Sequence, residues 1–224
     1  MMNEELRRAQ SHIAEIGTLL FQRQLTDAAG GNISVRVGDR LAMSPRYAGM
    51  NYHWQLKPND VLIVDLDGNV LEGMGQISRE AKVHLALHRE FGEHGQAVIH
   101  CHARNVLVFA AMNRPLPPVL EATLKFGEIP VAEFAPSHTP QLSEHIAAVI
   151  RGQEARIRKH AAAAIAPWHG LFVMAKDLDA AFDAAERIDT NAYCLLMGEM
   201  MAASDLLAAQ RSALQQGAAA YGKE

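Results

Sequence analysis

His100-Cys101-His102 is the place in this sequence where residue types and spacing could do chemistry. Val98 and Ile99 precede it and the apolar run Val106 to Ala110 follows, so the pair ends a buried stretch. In an extended backbone, residues i and i+2 point to the same face. Two imidazoles side by side can then chelate one metal ion from a single strand, with Cys101 on the other face. The same spacing also fits a hydrogen-bonded histidine pair at a strand end. A metal centre that does chemistry needs a third ligand, and an acid or base within reach.

The composition bounds what such a site could serve. The chain has 224 residues, of which 49% are hydrophobic and 21% charged. That is ordinary globular composition, enough for a good core in one domain spanning 1–224. A net charge of -4 gives no reason to expect nucleic acid or an anionic membrane as a partner. Cys101 and Cys194 are the only cysteines, which excludes a disulfide framework and a thiolate zinc site. The charged N-terminus leads into an amphipathic pattern instead of a signal-peptide core. No apolar run approaches the roughly 18 residues of a membrane span. A soluble, cytoplasmic protein is expected.

The elements that must position the histidines follow from hydrophobic period and turn chemistry. Leu6, Ile13, Ile16, Leu19, Leu20 and Gln24 keep a 3.6-residue period, which predicts a helix over about Asn3 to Gln24. Gly30-Gly31-Asn32 then marks a tight turn into an alternating strand, Ile33 to Arg36. Such a turn can expose backbone N–H groups to an anion; a turn that simply needs glycine fits equally. Gly38-Asp39 predicts a hairpin, and Asp67-Gly68 a second one between Val61 and Gly73. Ser78 is placed as the N-cap of a helix with Glu80 in its first turn. A short helix from Asn105 to Met112, another over Pro140 to Arg151 closed by Gly152, and a long one after Lys176 complete the helices. The run from Ala161 to Ala175 reads as strand, turn and strand, broken at His169-Gly170.

Four of these pieces together resemble the class II aldolase/adducin family. GGNISVR resembles its Gly-Asn-x-Ser-x-Arg signature and SRE its Ser-Ser-Glu. HCH matches its His-x-His, and PWHG its later histidine turn. Each is weak alone, but the order is the family's and spans nearly the whole chain. The resemblance implies an α/β fold with a central, mostly antiparallel sheet flanked by helices. It also implies a cyclic homotetramer with active sites between subunits. His100, His102 and His169 become the metal ligands and Glu80 the acid/base. Three imidazoles suit Zn2+, and also Mn2+ or Co2+. Adducin-like members lack the metal histidines; here all three are present. His84, His88, His94, His138, His145 and His160 match no ligand position and are expected on surfaces or in polar contacts.

By the same resemblance Gly31, Asn32 and Ser78 receive an anionic substrate end. Arg46 and Tyr47 stand where the family has Ser/Thr-Gly, and Arg79 replaces its second serine. Two arginines hold phosphate or carboxylate by bidentate hydrogen bonds. At Glu121 the aldolase branch has a tyrosine from a neighbouring subunit, whereas a dehydratase branch has a glutamate there. Tyr221-Gly222 resembles the C-terminal Tyr-Gly of the aldolase branch. The expected reaction is zinc-dependent cleavage of a ketose 1-phosphate to dihydroxyacetone phosphate and an aldehyde. Glu80 moves the proton at carbon, and Glu121 or Tyr221 serves the leaving oxygen. The alternatives are a dehydratase, epimerase or decarboxylase on the same platform, or a non-catalytic adducin-like scaffold.

Overall fold

The computed structural model describes residues 2–200; Tyr221 lies outside them. In chain order the elements are α1 (Met2–Gln22), β1 (Asn32–Val37), β2 (Arg40–Met43), α2 (Ala48–Tyr52), β3 (Leu62–Asp65) and β4 (Val70–Glu72). Then come α3 (Ala81–Phe91), β5 (Ala97–Cys101), α4 (Arg104–Ala111), α5 (Pro140–Ile150), α6 (Glu154–Lys159), β6 (Ala161–Ala166), β7 (Gly170–Ala175) and α7 (Leu178–Met200). A short 3-10 helix covers Glu121–Phe126.

The strands form one seven-stranded sheet in the order β4-β3-β2-β1-β5-β7-β6. Every pairing is antiparallel. Both hairpins expected at Gly38-Asp39 and Asp67-Gly68 are present. At the second, Asp65 accepts the N–H groups of Asp67 and Asn69, and Gly68 takes φ +89. The alanine-rich run folds as β6 and β7, all six residues of each buried.

Alternation along the strands sorts their buried residues onto two faces of the sheet. Ile33, Ile99, Cys101 and Val173 face one side and pack with residues of α1, α4 and α7. Val98, Phe172 and Met174 face the other, against α3 and α5. His100 lies between Ile99 and Cys101 and so belongs to the second face, with Cys101 on the first as its spacing required. Burial pushes the Cys101 thiol up to about 12, which makes it a core residue and not a nucleophile.

Two helix boundaries differ from expectation. Gln24 falls outside α1 with φ +60, its side chain accepting from Arg104 across 2.6 Å. Glu80 is the residue before α3 instead of lying in its first turn, and Ser78 is not its N-cap. The Ser78 hydroxyl instead accepts the Glu80 N–H at 3.2 Å, a local turn. The physical reason is on the Glu80 side chain, which faces the histidines and leaves the helix end uncapped.

Candidate metal centre

Antiparallel pairing of β1 with β5 sets Asn32 directly opposite His100, and β5 with β7 sets Phe172 opposite it on the other side. His100 stacks on Phe172 with ring centroids 4.2 Å apart. Its Nδ1 meets the Leu171 carbonyl at 3.0 Å, so Nδ1 carries the proton and Nε2 keeps a lone pair. His102 follows the end of β5. Its Nδ1 meets Asp27 Oδ2 at 3.2 Å, which frees Nε2 in the same way. His169 sits in the β6–β7 turn after Trp168, a non-glycine residue at φ +56. The three histidines each offer a nitrogen, and these lie within 4.8 Å of one another.

Nε2 of His100 and of His102 are buried with no hydrogen-bond partner. Leaving such atoms unpaired costs about 1–3 kcal/mol each, so the donor set fits a cation. Three neutral imidazoles with a carboxylate alongside make a site with an open position. Gly30 is required here because its backbone presses on the His102 ring, where a Cβ would collide. At Gly31, with φ +90, an added Cβ would likewise collide with Thr26 Oγ1.

Glu80 closes the group. Its Oε1 is 3.4 Å from His169 Nε2 and its Oε2 is 3.5 Å from His100 Nε2. The Asn32 amide donates to Glu80 Oε2 at 3.2 Å and to the Ser78 hydroxyl at 3.0 Å. Burial opposes ionisation of Glu80. The hydrogen bond from His169 outweighs it, and the carboxyl is held well below the usual carboxylate range.

A cavity of about 220 Å³ opens onto Glu80, lined by Gly30, Gly31, Arg46, Tyr47, Ser78, Arg79 and His138 among others. Arg46 lies 4.5 Å over the Tyr47 ring. A hydrogen bond from Arg79, with positive charge from Arg46 and Arg79, lowers the Tyr47 phenol below its usual range. Both arginines therefore reach the same wall of the cavity. In the glycine turn the N–H groups of Ala29 and Gly30 donate to Asp27 Oδ1. Asn32 is buried and its amide nitrogen donates to Glu80 and Ser78.

Glu80, His100, His102 and His169 thus come together, with Gly31, Arg46, Ser78 and Arg79 on the adjoining cavity. Glu121 is not with them. It is exposed on the 3-10 helix, in a segment that Asn191 of α7 holds by accepting the Val119 and Leu120 N–H groups and the Thr123 hydroxyl.

Sequence reasoning missed two side chains at this site. Asp27 is 75 residues from His102, and only the fold joins them. His138 stands 3.5 Å from Glu80. Asp27 orients His102 as outer carboxylates orient metal histidines. Asp27→Asn keeps an oxygen for the Ala29 and Gly30 N–H groups but turns an amide donor toward the His102 N–H. Metal affinity is expected to fall about 10–100-fold, measured by competition with a chromogenic chelator; an unchanged affinity would count against this orientation.

His84 and His88 are not on the surface. Both are fully buried on α3, in polar contact with Ser34 of β1. The Ser34 hydroxyl lies 2.7 Å from His84 Nδ1 and 2.7 Å from His88 Nε2, so it donates to one ring and accepts from the other. Burial lowers His84 to about 3 and His88 well below its usual value. Unfolding lets both rings bind protons near pH 6.5, so stability is full above that pH and falls as pH drops toward 3. The expected slope is about 1.4 kcal/mol per pH unit for each ring. Denaturant midpoints at pH 7 and pH 5 test it, and equal midpoints would contradict it.

Comparison with known proteins bears on the family and the fold. A family model described as "Class II Aldolase and Adducin N-terminal domain" matches residues 11–196. The 5-deoxy-D-ribulose 1-phosphate aldolase of Bacillus thuringiensis serovar kurstaki is 31% identical over 186 residues, covering 82% of each chain. The 5-methylthioribulose-1-phosphate/5-deoxyribulose-1-phosphate aldolase of Rhodospirillum rubrum is 30% identical, over 78% of this chain and 76% of its own. L-fuculose phosphate aldolase of Escherichia coli O6:H1 is 29% identical, over 77% and 75%. Among solved structures, an L-fuculose 1-phosphate aldolase superposes with a TM-score of 0.77 at 24% identity, covering 93% of this chain and 96% of that one. Because the family model spans most of the chain and the Bacillus thuringiensis relative is 31% identical over 82% of it, this chain belongs to the class II aldolase and adducin family.

Proposed function

We propose that the protein is a zinc-dependent aldolase that cleaves a ketose 1-phosphate to dihydroxyacetone phosphate and an aldehyde. One observation carries this reading. The Glu80 carboxylate contacts His100 and His169 and also lines the cavity that holds Arg46 and Arg79. A substrate with its anion on the arginines therefore presents its carbonyl end to the histidines and its α-carbon to Glu80.

His100, His102 and His169 hold zinc, with Mn2+ or Co2+ as substitutes the same donors accept. When bound, the ion supplies Lewis-acid stabilisation of the enediolate that C–C cleavage leaves behind. Glu80 delivers a proton to the enediolate carbon. Arg46, Arg79 and Ser78 receive the phosphate, beside the backbone of Gly31, and Asn32 holds Ser78 and Glu80 in register. The relatives are named for 5-deoxyribulose 1-phosphate and L-fuculose phosphate, which makes these two sugars the first substrates to try.

The working form is a homotetramer in the cytoplasm, with sites between subunits. Phe134 and Trp168 support this, lying edge to face at 5.0 Å and both more than half exposed next to His169. In that assembly Glu121 and Tyr221 can serve a neighbouring subunit's site. Among the described residues, no helix is long and apolar enough to cross a membrane.

Metal analysis of the purified protein, then turnover of both sugar phosphates before and after chelation, tests the proposal. Bound zinc with chelator-sensitive release of dihydroxyacetone phosphate is the expected result. Metal without cleavage would move the reading to a dehydratase, epimerase or decarboxylase, for which the paired arginines could hold a carboxylate. A protein that binds no metal would be an adducin-like scaffold.

A further inference from the structure

We propose that His138 is a catalytic acid/base of this site, taking the proton from the sugar hydroxyl and passing one on to Glu80. This rests on the aldolase reading above and adds the group that a single carboxylate cannot replace. Cleavage needs one proton removed from the C4 oxygen and one delivered to C3. Glu80 can do only one of these at a time.

His138 is placed for the other. Its Nδ1 lies 3.5 Å from Glu80 Oε1, and its side chain is 41% exposed where that of Glu80 is 11%. It lines the cavity alongside Arg46, Ser78 and Arg79. A ligand held on the arginines shares that cavity with it and with Glu80. The position is held from both sides. Lys82, two residues beyond Glu80, donates to the His138 carbonyl at 3.1 Å. Thr139 caps α5 by accepting the Leu142 N–H, while its hydroxyl donates to Pro136 at 2.7 Å. Between these anchors His138 sits at φ +73, a left-handed conformation that costs a residue with a Cβ about 1–3 kcal/mol. Strain kept in place on a cavity wall fits a functional role. Glu121, by contrast, does not line this cavity.

The proton balance closes within the pair. The C4 hydroxyl proton goes to His138 Nε2, and the Nδ1 proton passes to Glu80 Oε1. The C3–C4 bond breaks, its electron pair entering the enediolate as the C4 oxygen becomes the aldehyde carbonyl. Glu80 then gives its proton to C3. One proton has moved from oxygen to carbon, and no oxidant or co-reactant is consumed. The exposed imidazole returns to its starting tautomer through solvent.

His138→Gln and His138→Phe test this against Glu121→Gln. Two readouts separate the roles: cleavage of L-fuculose 1-phosphate and 5-deoxyribulose 1-phosphate, and deuterium uptake from D2O into dihydroxyacetone phosphate, which needs Glu80 alone. Both His138 variants are expected to lose about 10²–10⁴-fold in cleavage kcat, to exchange deuterium at close to the wild-type rate, and to keep wild-type metal content. Equal loss of cleavage and exchange would make His138 a support for Glu80 and overturn the proposal. Unchanged cleavage would overturn it too, as would loss of cleavage in Glu121→Gln alone. Wild-type protein that exchanges and cleaves neither sugar would overturn the aldolase reading, and this one with it.

Discussion

Glu80→Gln is expected to lower turnover by about 10²–10⁴-fold while the protein keeps its metal. The replacement preserves shape and can still accept the Asn32 amide, which donates at 3.2 Å. It cannot carry a proton to or from carbon. In the wild type the balance at this carboxyl favours the ionised form, because the hydrogen bond from His169 overcomes burial. Gln removes that charge from between the histidines and the cavity. Steady-state kinetics with metal analysis on the same sample makes the measurement. Turnover retained in Glu80→Gln, together with its loss in Glu121→Gln, would displace the aldolase in favour of a dehydratase.

His100→Ala and His169→Ala are expected to abolish stoichiometric metal and activity together, yet to differ in stability. Either change leaves two imidazoles. Affinity should fall by more than the roughly 10–100-fold that loss of an outer partner costs. His100 is fully buried and stacked on Phe172 at 4.2 Å, so its truncation opens a cavity costing about 2–4 kcal/mol. The Leu171 carbonyl also loses its donor. His169 is in a turn with its side chain 17% exposed, and its loss should cost under about 1 kcal/mol. Metal content and denaturant melts of the two variants decide it. Retention of metal by His169→Ala would remove that residue from the ligand set.

The residues that the fold groups at the site were legible in the chain where a local rule governs them. The His-x-His spacing places two rings on one side of an extended backbone, and the opposite side takes Cys101 into the core. Glycine turns and alternation predicted both hairpins and the β6–β7 pair. The boundary at Glu80 was misjudged, because helix-capping preference is weaker than the pull of three imidazoles on a carboxylate.

What the sequence alone determined is therefore the set of donors, the strands and turns that carry them, and the family they resemble. Spacing, period and turn chemistry act over a few residues, and those interactions survive in a one-dimensional reading. Tertiary structure alone decided which partners complete the site. Asp27 reaches His102, His138 reaches Glu80, and Ser34 joins His84 to His88 because antiparallel register and the packing of α3 on β1 bring distant segments within hydrogen-bonding range. Tertiary structure also turned Glu121 away from its own chain's cavity, since Asn191 on α7 holds the segment around it. Those contacts depend on how layers stack, which no local pattern records.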